Sequence, residues 1–337
     1  MENKKTIHGR GHIAKYTFDD ILGKSAKIKA TIDKARRFGS VNATVLIYGE
    51  TGVGKEYFAQ AIHNVSPHRD GPFVTVNCAA MPDNLLESEL FGYSEGAFTG
   101  AKKGGKEGLF VMANKGTIFL DEIGEMSDKM QTRLLRVLQE YEIMPLGDNN
   151  IITLDVRVVA ATNSDLRTLV HEKRFRADLY HRINVLTLMI PALRDRREDI
   201  PVLFNHYLGV YNKKFGKNIK GMAPKGIALF NAHSWPGNIR ELQNTMKRLV
   251  ILTYGDYISA DIVTESLLLS SLEPEFLSTA QHQPAAENNN TNPQEFEKAL
   301  TINALKAARG NKKKAARLLG ISRTTLWRRQ KKYDIRI

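Results

Sequence analysis

Residues 44–56 have the sequence Thr-Val-Leu-Ile-Tyr-Gly-Glu-Thr-Gly-Val-Gly-Lys-Glu, and this stretch decides the fold. The β-branched, apolar run before Gly49 predicts a buried strand, and residues 57–63 predict a helix. A glycine-rich loop between a strand and a helix turns backbone N–H groups toward an anion and adds the partial positive charge of the helix start. We therefore predict a phosphate-binding loop made of Gly49, Glu50, Thr51, Gly52, Val53, Gly54, Lys55 and Glu56.

Lys55 follows the last glycine of this loop, where it can reach the β- and γ-phosphates of a nucleotide. The match to G-x-x-x-x-G-K-[ST] is complete except at Glu56, which replaces the hydroxyl that usually touches Mg²⁺. A glycine-rich turn with an unrelated lysine is the alternative, and it leaves the flanking strand and helix unexplained.

The composition excludes several classes of protein. With 42% hydrophobic and 25% charged residues in 337, the chain has the balance of a soluble protein of two or three domains. It has no apolar run long enough to span a membrane, and residues 1–16 lack the apolar core of a signal peptide. The single cysteine, Cys78, excludes an internal disulfide and favours a reducing compartment, so we expect a cytoplasmic protein. The nine histidines show no paired metal spacing.

The positive charge is concentrated at one end of the chain. The net charge is +13, and residues 291–337 hold thirteen Lys and Arg residues against only three acidic ones. A basic tail on a nearly neutral body indicates a nucleic-acid-binding module attached to another domain.

The order of predicted elements divides the chain into five parts. Strands alternate with helices as far as Pro191, which predicts an α/β fold with a parallel sheet covered on both faces. The pattern then becomes helical, loses periodicity in a Ser-, Gln- and Asn-rich stretch, and becomes helical again. We predict a loose leader (1–17), an α/β core (18–191), an α-helical lid (192–263), a flexible linker (264–292) and a C-terminal all-α domain (293–337).

Further polar residues follow the predicted strands. Asp121 and Glu122 end the apolar run that begins at Thr117, where the first acid can hold Mg²⁺ and the second can activate water as a general base. Asn163 also ends a strand and can sense the γ-phosphate. Arg176 and Arg182 could reach the nucleotide of a neighbouring subunit if the protein forms a ring or a dimer. Solvated strand ends, turn residues and surface arginines are the alternative interpretations.

The sequence resembles the AAA+ ATPases that activate sigma-54-dependent transcription in bacteria. The resemblance covers about residues 18–263 and includes a matching DNA-binding end. The motifs that carry it are Gly-Glu-Thr-Gly-Val-Gly-Lys-Glu (49–56), Gly-Ala-Phe-Thr-Gly-Ala (96–101), Gly-Thr-Ile-Phe-Leu-Asp-Glu (116–122), Phe-Arg-Ala-Asp-Leu-Tyr-His-Arg (175–182) and Trp-Pro-Gly-Asn-Ile-Arg-Glu-Leu (235–242). Glutamate is usual at the Glu56 position in this family.

The resemblance implies ATP and Mg²⁺ as cofactors, and it implies a role for each site residue. Asn77 looks like the residue that holds Glu122 in an inactive pose until ATP is sensed. Asn163 looks like the first sensor and Arg240 like the second, while Arg176 and Arg182 look like the arginine pair that acts on the neighbouring subunit. The adenine would lie at Ile21, Leu22 and Gly23.

A glycine-rich loop within residues 91–106 has no apolar periodicity, yet it places Phe98 between glycines. An exposed aromatic side chain at a loop tip indicates a partner, and the flanking glycines would let the loop swing. The resemblance implies that this loop contacts sigma-54 through Gly96, Ala97, Phe98, Thr99, Gly100 and Ala101. A lid over the ATP site is the alternative. A predicted hairpin at 143–154 resembles a second insertion that positions this loop.

The C-terminal pattern of helix, glycine turn and helix resembles a Fis-type helix-turn-helix, which usually binds DNA as a dimer. Ser322 is placed to cap the second helix, and Arg323, Thr324, Thr325 and Arg328 would face the major groove. The predicted DNA-binding set is Lys312, Lys313, Lys314, Ser322, Arg323, Thr324, Thr325, Arg328 and Arg329. A basic, solvated helix face is the alternative.

Together these features predict an activator that binds upstream DNA, oligomerises, and uses ATP hydrolysis to remodel the closed complex of sigma-54 RNA polymerase. The resemblance implies that dimers assemble into a ring of six subunits. One alternative is a DNA-bound repressor that uses ATP only for assembly, and another is a protein-unfolding machine. The sequence leaves open whether a sensory domain lies elsewhere or another protein supplies control.

Overall fold

A computed structural model describes residues 12–269, together with residues 305, 311–313, 316, 323–333 and 335. The chain divides into two compact units, one ending at Glu273 and one beginning at Pro274.

The α/β part of the first unit alternates strands and helices, as predicted. Its elements are α1 (Ala26–Gly39), β1 (Val45–Tyr48), α2 (Lys55–Asn64), β2 (Phe73–Asn77), α3 (Asp83–Phe91), β3 (Gly92–Tyr93), β4 (Lys106–Glu107), α4 (Leu109–Met112), β5 (Thr117–Asp121), α5 (Asp128–Glu140), β6 (Glu142–Ile143), β7 (Ile152–Thr153), β8 (Arg157–Thr162), α6 (Leu166–His171), α7 (Ala177–Ile183) and β9 (Leu186–Met189). Short 3₁₀ turns occupy Phe18–Asp20 and Ile123–Glu125.

The central sheet is parallel throughout and has the strand order β2-β5-β8-β1-β9. Successive residues of a strand pack into separate hydrophobic cores on the two faces of the sheet. Leu46 packs on one face and Ile47 on the other, and both are fully buried. Helices cover both faces, which explains why the strands are continuously apolar. The prediction of a parallel, doubly covered sheet is confirmed.

The carboxyl ends of the strands position the site. Since the strands are parallel, the residues that follow them meet at one edge of the sheet. Gly49 follows β1, Glu122 follows β5 and Asn163 follows β8, while Asn77 ends β2 in register with Asp121.

Two insertions leave the sheet layer. Within the predicted glycine-rich loop, β3 pairs antiparallel with β4, and β6 pairs antiparallel with β7 in the predicted hairpin. A bridge between Tyr93 and Leu146 joins the two insertions to each other.

The lid is helical and has its own core. A 3₁₀ stretch (Leu193–Asp199) leads into α8 (Ile200–Phe215), followed by β10 (Gly221–Met222), α9 (Pro224–Ala232), α10 (Asn238–Leu252), β11 (Tyr257–Ile258) and a helix α11 over residues 260–269. Its core surrounds Trp235, which is fully buried. Among the described residues, no helix is long and apolar enough to cross a membrane.

Two predicted boundaries need correction. Residues 264–269, predicted as linker, continue α11 because Ser266 is buried and its carbonyl accepts a hydrogen bond from Arg248 Nη1 at 2.8 Å. Residues 12–17, predicted as a loose leader, pack against the first unit, where the carbonyl of His12 accepts a hydrogen bond from the backbone of Phe73 at 2.9 Å.

In the second unit, α12 (Arg323–Lys332) is the predicted recognition helix. It buries Leu326, and Ala316 and Leu305 are also buried in this unit. Lys314 and Ser322 lie outside the described residues, and so does the side chain of Arg323.

Candidate nucleotide site and output loop

The phosphate loop joins β1 to α2 in the predicted place. Gly52 and Gly54 have φ angles of +80° and +101°, in the left-handed region that favours glycine. A Cβ at Gly52 would also lie 2.3 Å from the carbonyl oxygen of Gly237 in the lid, so a side chain is excluded there on two counts.

Lys55 is almost completely buried at the start of α2. Its Nζ donates to the carbonyl oxygen of Gly49 at 3.0 Å and to Oε1 of Glu122 at 3.3 Å. The ammonium group is therefore held between the phosphate loop and the acid that follows β5.

The acid pair, Asp121 and Glu122, is arranged so that a nearby positive charge would be favoured. Glu122 adopts a left-handed backbone, with φ at +53°, which is unusual for a residue with a side chain. Its Oε2 accepts a hydrogen bond from the backbone of Asn163 at 3.3 Å. Burial, followed by the nearby charge of Glu122, raises the pKa of Asp121, and Glu56 contributes in the same direction. A positive charge placed at this point would relieve that repulsion.

The residues fit Mg²⁺ but not a site made of protein ligands alone. Among the described residues, no group of three or more His, Cys, Asp or Glu side chains is arranged to hold a metal. Mg²⁺ is usually held by one or two carboxylates together with waters and phosphate oxygens. Asp121, which ends β5, can supply such a carboxylate, and Glu56 stands at the loop position whose hydroxyl usually touches the metal.

Asn77 and Asn163 lie at the carboxyl ends of β2 and β8, the two strands on either side of β5. Asn163 Nδ2 donates to Thr51 Oγ1 at 3.1 Å, which links the end of β8 to the phosphate loop. Asn77 Oδ1 accepts a hydrogen bond from the backbone of Ala79 at 2.9 Å. Over the described chain, Glu122 bonds Lys55 and Asn163 rather than Asn77, so the switch role of Asn77 stays a prediction.

The lid contacts the phosphate loop through residues that the sequence analysis missed. Arg194 forms a two-pronged ion pair with Glu50, with Nη1 to Oε2 at 2.8 Å and Nη2 to Oε1 at 2.5 Å. This pair, together with the hydrogen bond from Asn238, lowers the pKa of Glu50. Only the motif Trp-Pro-Gly-Asn (235–238) pointed to this region, and it gave no partner.

Asn238 is fully buried and joins three segments. Its Nδ2 donates to Glu50 Oε2 and to the carbonyl of Thr51, both at 3.1 Å, and its Oδ1 accepts from the backbone of Leu193 at 2.8 Å. One amide side chain therefore ties the loop to the start of the lid and to α10.

Arg240 and Ile21 also lie near the loop. The backbone N–H groups of Ile239 and Arg240 donate to the carbonyl of Gly52 at 3.0 and 3.3 Å, and the Arg240 side chain is exposed. Ile21 is partly buried against the sheet core. A few residues after Ile21, the backbone N–H groups of Lys24 and Ser25 donate to the buried Asp199 at 2.6 and 2.8 Å. These hydrogen bonds join this segment to the lid.

The two predicted arginines are held within their own subunit. Arg176 pairs with Asp178 through both Nη2 (2.8 Å) and Nε (3.1 Å), and Arg182 donates twice to the carbonyl of Leu138, at 2.9 and 2.6 Å. Neither arginine hydrogen-bonds Asp121 or Glu122 in the described chain. Their action on a neighbouring subunit stays a prediction.

The output loop presents its predicted tip. Gly96 and Gly100 have φ angles of +80° and +96°, Thr99 is exposed, and Phe98 is 46% exposed. The Phe98 ring contacts Tyr93 edge-on, with ring centroids 5.0 Å apart. The tip is therefore half covered by the base of its own loop.

The second insertion supports this loop directly. Ser94 donates from its backbone to the carbonyl of Leu146 at 2.9 Å and from its hydroxyl to Asp148 at 2.8 Å. A Cβ at Gly147 would lie 2.7 Å from the Cβ of Ala97, so the two loops touch at their tips. Below them an open cavity of about 350 Å³ is lined by residues that include Tyr93, Pro145 and Ile152.

The described part of the DNA-binding set is basic and largely exposed. Lys312, Lys313, Thr324 and Arg328 are exposed, whereas Thr325 and Arg329 are half-buried. Trp327, 56% exposed on α12, carries Lys331 over its ring at 5.4 Å. Helix α12 thus presents cations along its surface.

A parallel sheet with a phosphate loop, a strand-terminal acid pair and a helical lid defines the AAA+ class of P-loop ATPase domains. Three family descriptions match the chain in order: Sigma-54 interaction domain (21–189), AAA+ ATPase lid domain (194–288) and Bacterial regulatory protein, Fis family (293–333). The chain therefore belongs to the family of sigma-54-dependent transcriptional activators, and the predicted family and fold class are confirmed.

Named relatives agree with this assignment. The chain is 46% identical over 307 residues to the transcriptional regulatory protein ZraR of Escherichia coli K12, covering 91% of this chain and 67% of that protein. It is 44% identical over 321 residues to AcoR, the acetoin dehydrogenase operon transcriptional activator of Bacillus subtilis, covering 95% of this chain and 52% of that one. The crystal structure of NtrX from Brucella abortus in complex with ATP superposes with a TM-score of 0.68 at 31% identity, over 94% of this chain and 69% of that one.

Proposed function

We propose that this protein binds DNA through its C-terminal unit and uses ATP hydrolysis to remodel the closed complex of sigma-54 RNA polymerase in the bacterial cytoplasm. The observation that carries the proposal is one connected path of contacts: Lys55 to Glu122, Glu122 to Asn163, and Asn163 to Thr51. It joins the residues proposed as the phosphate-binding lysine, the general base and the polar sensor at one edge of the sheet.

Lys55 is the group through which ATP would act. A γ-phosphate at the loop competes with Glu122 for the lysine ammonium, because both are anionic partners of one cation. The carboxylate so released can orient and deprotonate the attacking water. Mg²⁺, when bound, neutralises phosphate charge, and Asp121 with Glu56 are the residues that would hold it.

The nucleotide is then shared between subunits. Arg176 and Arg182 lie at the two ends of α7, and each is bound in its own subunit to a partner that a phosphate can replace. Arginines brought to the γ-phosphate of the neighbouring subunit would stabilise the charge of transfer. This step requires a ring, which we propose has about six subunits assembled from dimers.

Glu122 also connects the site to the output loop. Asn77, which would hold Glu122 inactive until ATP is sensed, ends strand β2, and β2 leads into α3 and then directly into β3 at the base of the loop. A ligand shifts such an element only through contacts that differ between its two states, and the exchange of partners at Glu122 provides them. The loop with Phe98 and Thr99 at its tip would then move against sigma-54.

The DNA-binding unit brings this activity to a promoter. Arg323, Thr324, Thr325 and Arg328 on the recognition helix would read the major groove, and Lys312–Lys314 with Arg329 would contact phosphate. Paired half-sites would concentrate dimers upstream of the gene.

The test is open-complex formation at a sigma-54 promoter with purified polymerase and hydrolysable ATP. We expect Thr99→Ala to abolish open complexes while keeping ATP hydrolysis, and Thr264→Ala, an exposed threonine on the lid, to behave like wild type. Lys55→Ala should lose ATP hydrolysis by about a hundredfold or more, because it removes a preorganised cation from the transferring phosphate.

Full activation by Thr99→Ala would show that the loop assignment is wrong. Normal hydrolysis by Lys55→Ala would refute the phosphate-loop assignment. A repressor that uses ATP only for assembly would instead form rings with ATP yet never open a promoter.

A further inference from the structure

Residues 12–17, here called the strap, lie along α2, the helix that follows the phosphate loop. The carbonyl of Tyr16 accepts a hydrogen bond from Asn64 Nδ2 at 2.8 Å, and the Tyr16 ring stacks on Tyr57 with centroids 4.1 Å apart. At its other end, the strap holds Phe73 at the start of β2. The strap is thus fixed to both ends of α2.

Gln60 is the residue through which the strap reaches the loop. It is 6% exposed, and its Oε1 accepts backbone hydrogen bonds from Lys15 at 2.7 Å and from Tyr16 at 3.2 Å. Because both strap groups are donors, the amide oxygen must face them, and the amide nitrogen must face the other way. That nitrogen donates to Glu56 Oε1 at 3.0 Å.

Glu56 stands at the one position where the phosphate loop departs from the usual pattern. Its side chain is exposed, so without a partner it would sample many rotamers. It nevertheless lies in the first turn of α2, directly after Lys55, at the position whose hydroxyl usually touches Mg²⁺. A donor buried on α2 therefore restrains a carboxylate that belongs to the nucleotide site.

We propose that Gln60 is a positioning residue for Glu56: held by the strap, it fixes the Glu56 carboxylate at the metal side of the phosphate loop and thereby strengthens Mg²⁺-dependent nucleotide binding. The inference rests on the proposed function in assuming that this loop binds ATP with Mg²⁺. It assigns a task to the strap and to Gln60 that the motif itself does not contain.

Gln60→Glu tests the donor specifically. The new carboxylate still accepts the two strap hydrogen bonds, but it faces Glu56 with an oxygen in place of an N–H. Binding of a fluorescent ATP analogue is titrated with the full-length protein in MgCl₂ and in EDTA. The ratio of the affinity in MgCl₂ to the affinity in EDTA should fall about five- to tenfold, because a hydrogen bond to a charged group is lost. The affinity in EDTA should change little. Gln139→Glu, the same change on the exposed surface of α5, should match wild type.

The exchanged pair, Glu56→Gln with Gln60→Glu, separates metal positioning from simple structural support. It restores a hydrogen bond between residues 56 and 60 at unchanged net charge, but it moves the carboxylate away from the loop. We expect the thermal stability lost in Gln60→Glu to return and the Mg²⁺ effect to stay lost. Recovery of both would overturn the proposal, as would a Gln60→Glu protein with a wild-type Mg²⁺ effect.

Asn64→Ala carries the test if Gln60→Glu does not fold. It frees the carbonyl of Tyr16 without touching Gln60, and it should reduce the Mg²⁺ effect about twofold, as for a weakened strap. An unchanged Mg²⁺ effect in this variant would count against the strap. If the wild-type chain itself binds no nucleotide, the proposed function fails first, so the two failures are distinguishable.

Discussion

Asn238 offers the sharpest test of how the lid is held to the phosphate loop. Its backbone is left-handed, with φ at +54°, at the first residue of α10. Asn238→Gly keeps this conformation and removes the side-chain hydrogen bonds. Asn238→Ala removes the same bonds and adds the steric cost of a Cβ in the left-handed region.

The magnitudes follow from the contacts. Leaving the buried N–H of Leu193 without its acceptor costs about 1–3 kcal/mol, and the two bonds from Nδ2 to Glu50 and Thr51 contribute about 1 kcal/mol each. We expect Asn238→Gly to lower the free energy of unfolding by about 3–5 kcal/mol on this basis. Asn238→Ala should be about 1 kcal/mol less stable than Asn238→Gly, whereas alanine is normally the more stabilising of the two residues in a helix.

Urea unfolding followed by tryptophan fluorescence measures both values. The chain has two tryptophans, and Trp235 is buried in the lid core whereas Trp327 lies on α12. A Trp327→Phe background therefore leaves a signal that reports on the lid.

Lys173 is the matched control, since it is exposed with φ at +60°. Lys173→Gly should again be more stable than Lys173→Ala by about 1 kcal/mol, but neither variant loses a buried hydrogen bond. Asn238 does not hold the lid to the loop in this way if Asn238→Ala is at least as stable as Asn238→Gly, or if both lie within about 0.5 kcal/mol of the parent.

Two further predictions concern the output loop and the core. Gly147→Val should uncouple the two insertions, because its side chain would meet Ala97. We expect this variant to hydrolyse ATP but to lose capture of purified sigma-54 in the presence of a transition-state analogue of ATP. Gly104→Val, with a similar φ of +81° and open space around it, should keep both activities, and equal behaviour of the two variants would contradict the coupling. Burial is the main cause that lowers the pKa of His63 from 6.5 to about 4, so the folded state binds its proton less readily than the unfolded state does. Stability should therefore fall as the pH drops from about 6.5 to about 4, by up to about 3 kcal/mol from this group. His63→Asn should flatten that part of the pH profile in urea unfolding, whereas His171→Asn, at an exposed site, should not, and an unchanged slope in His63→Asn would contradict the assignment.

The nucleotide site could be predicted from sequence because its signals are local. The phosphate loop needs adjacent residues in a fixed order, and the acid pair needs only an apolar strand that ends in two carboxylates. The parallel sheet then follows from alternation, since helices on both faces require continuously apolar strands such as Val45–Tyr48.

The linker boundary could not be placed in the same way. Residues 264–269 have too short a pattern to extend a helix on their own, and only packing against the lid, where Ser266 is buried, keeps them helical. The strap was missed for a similar reason, because its backbone binds Gln60 across 44 and 45 positions in the sequence.

The sequence by itself determined the class of site, its acids, its lysine and the exposed tip at Phe98. Only the tertiary structure decided the partners: Arg194 with Glu50, Asn238 with Thr51, Gln60 with the strap, and Gly147 with Ala97. The physical reason is that a motif records the groups that must meet a ligand within one turn or strand end. The residues that hold those groups in place come from distant parts of the chain and are brought near by folding. Since any donor or acceptor at the right point in space can make the supporting hydrogen bond, no fixed sequence pattern records it.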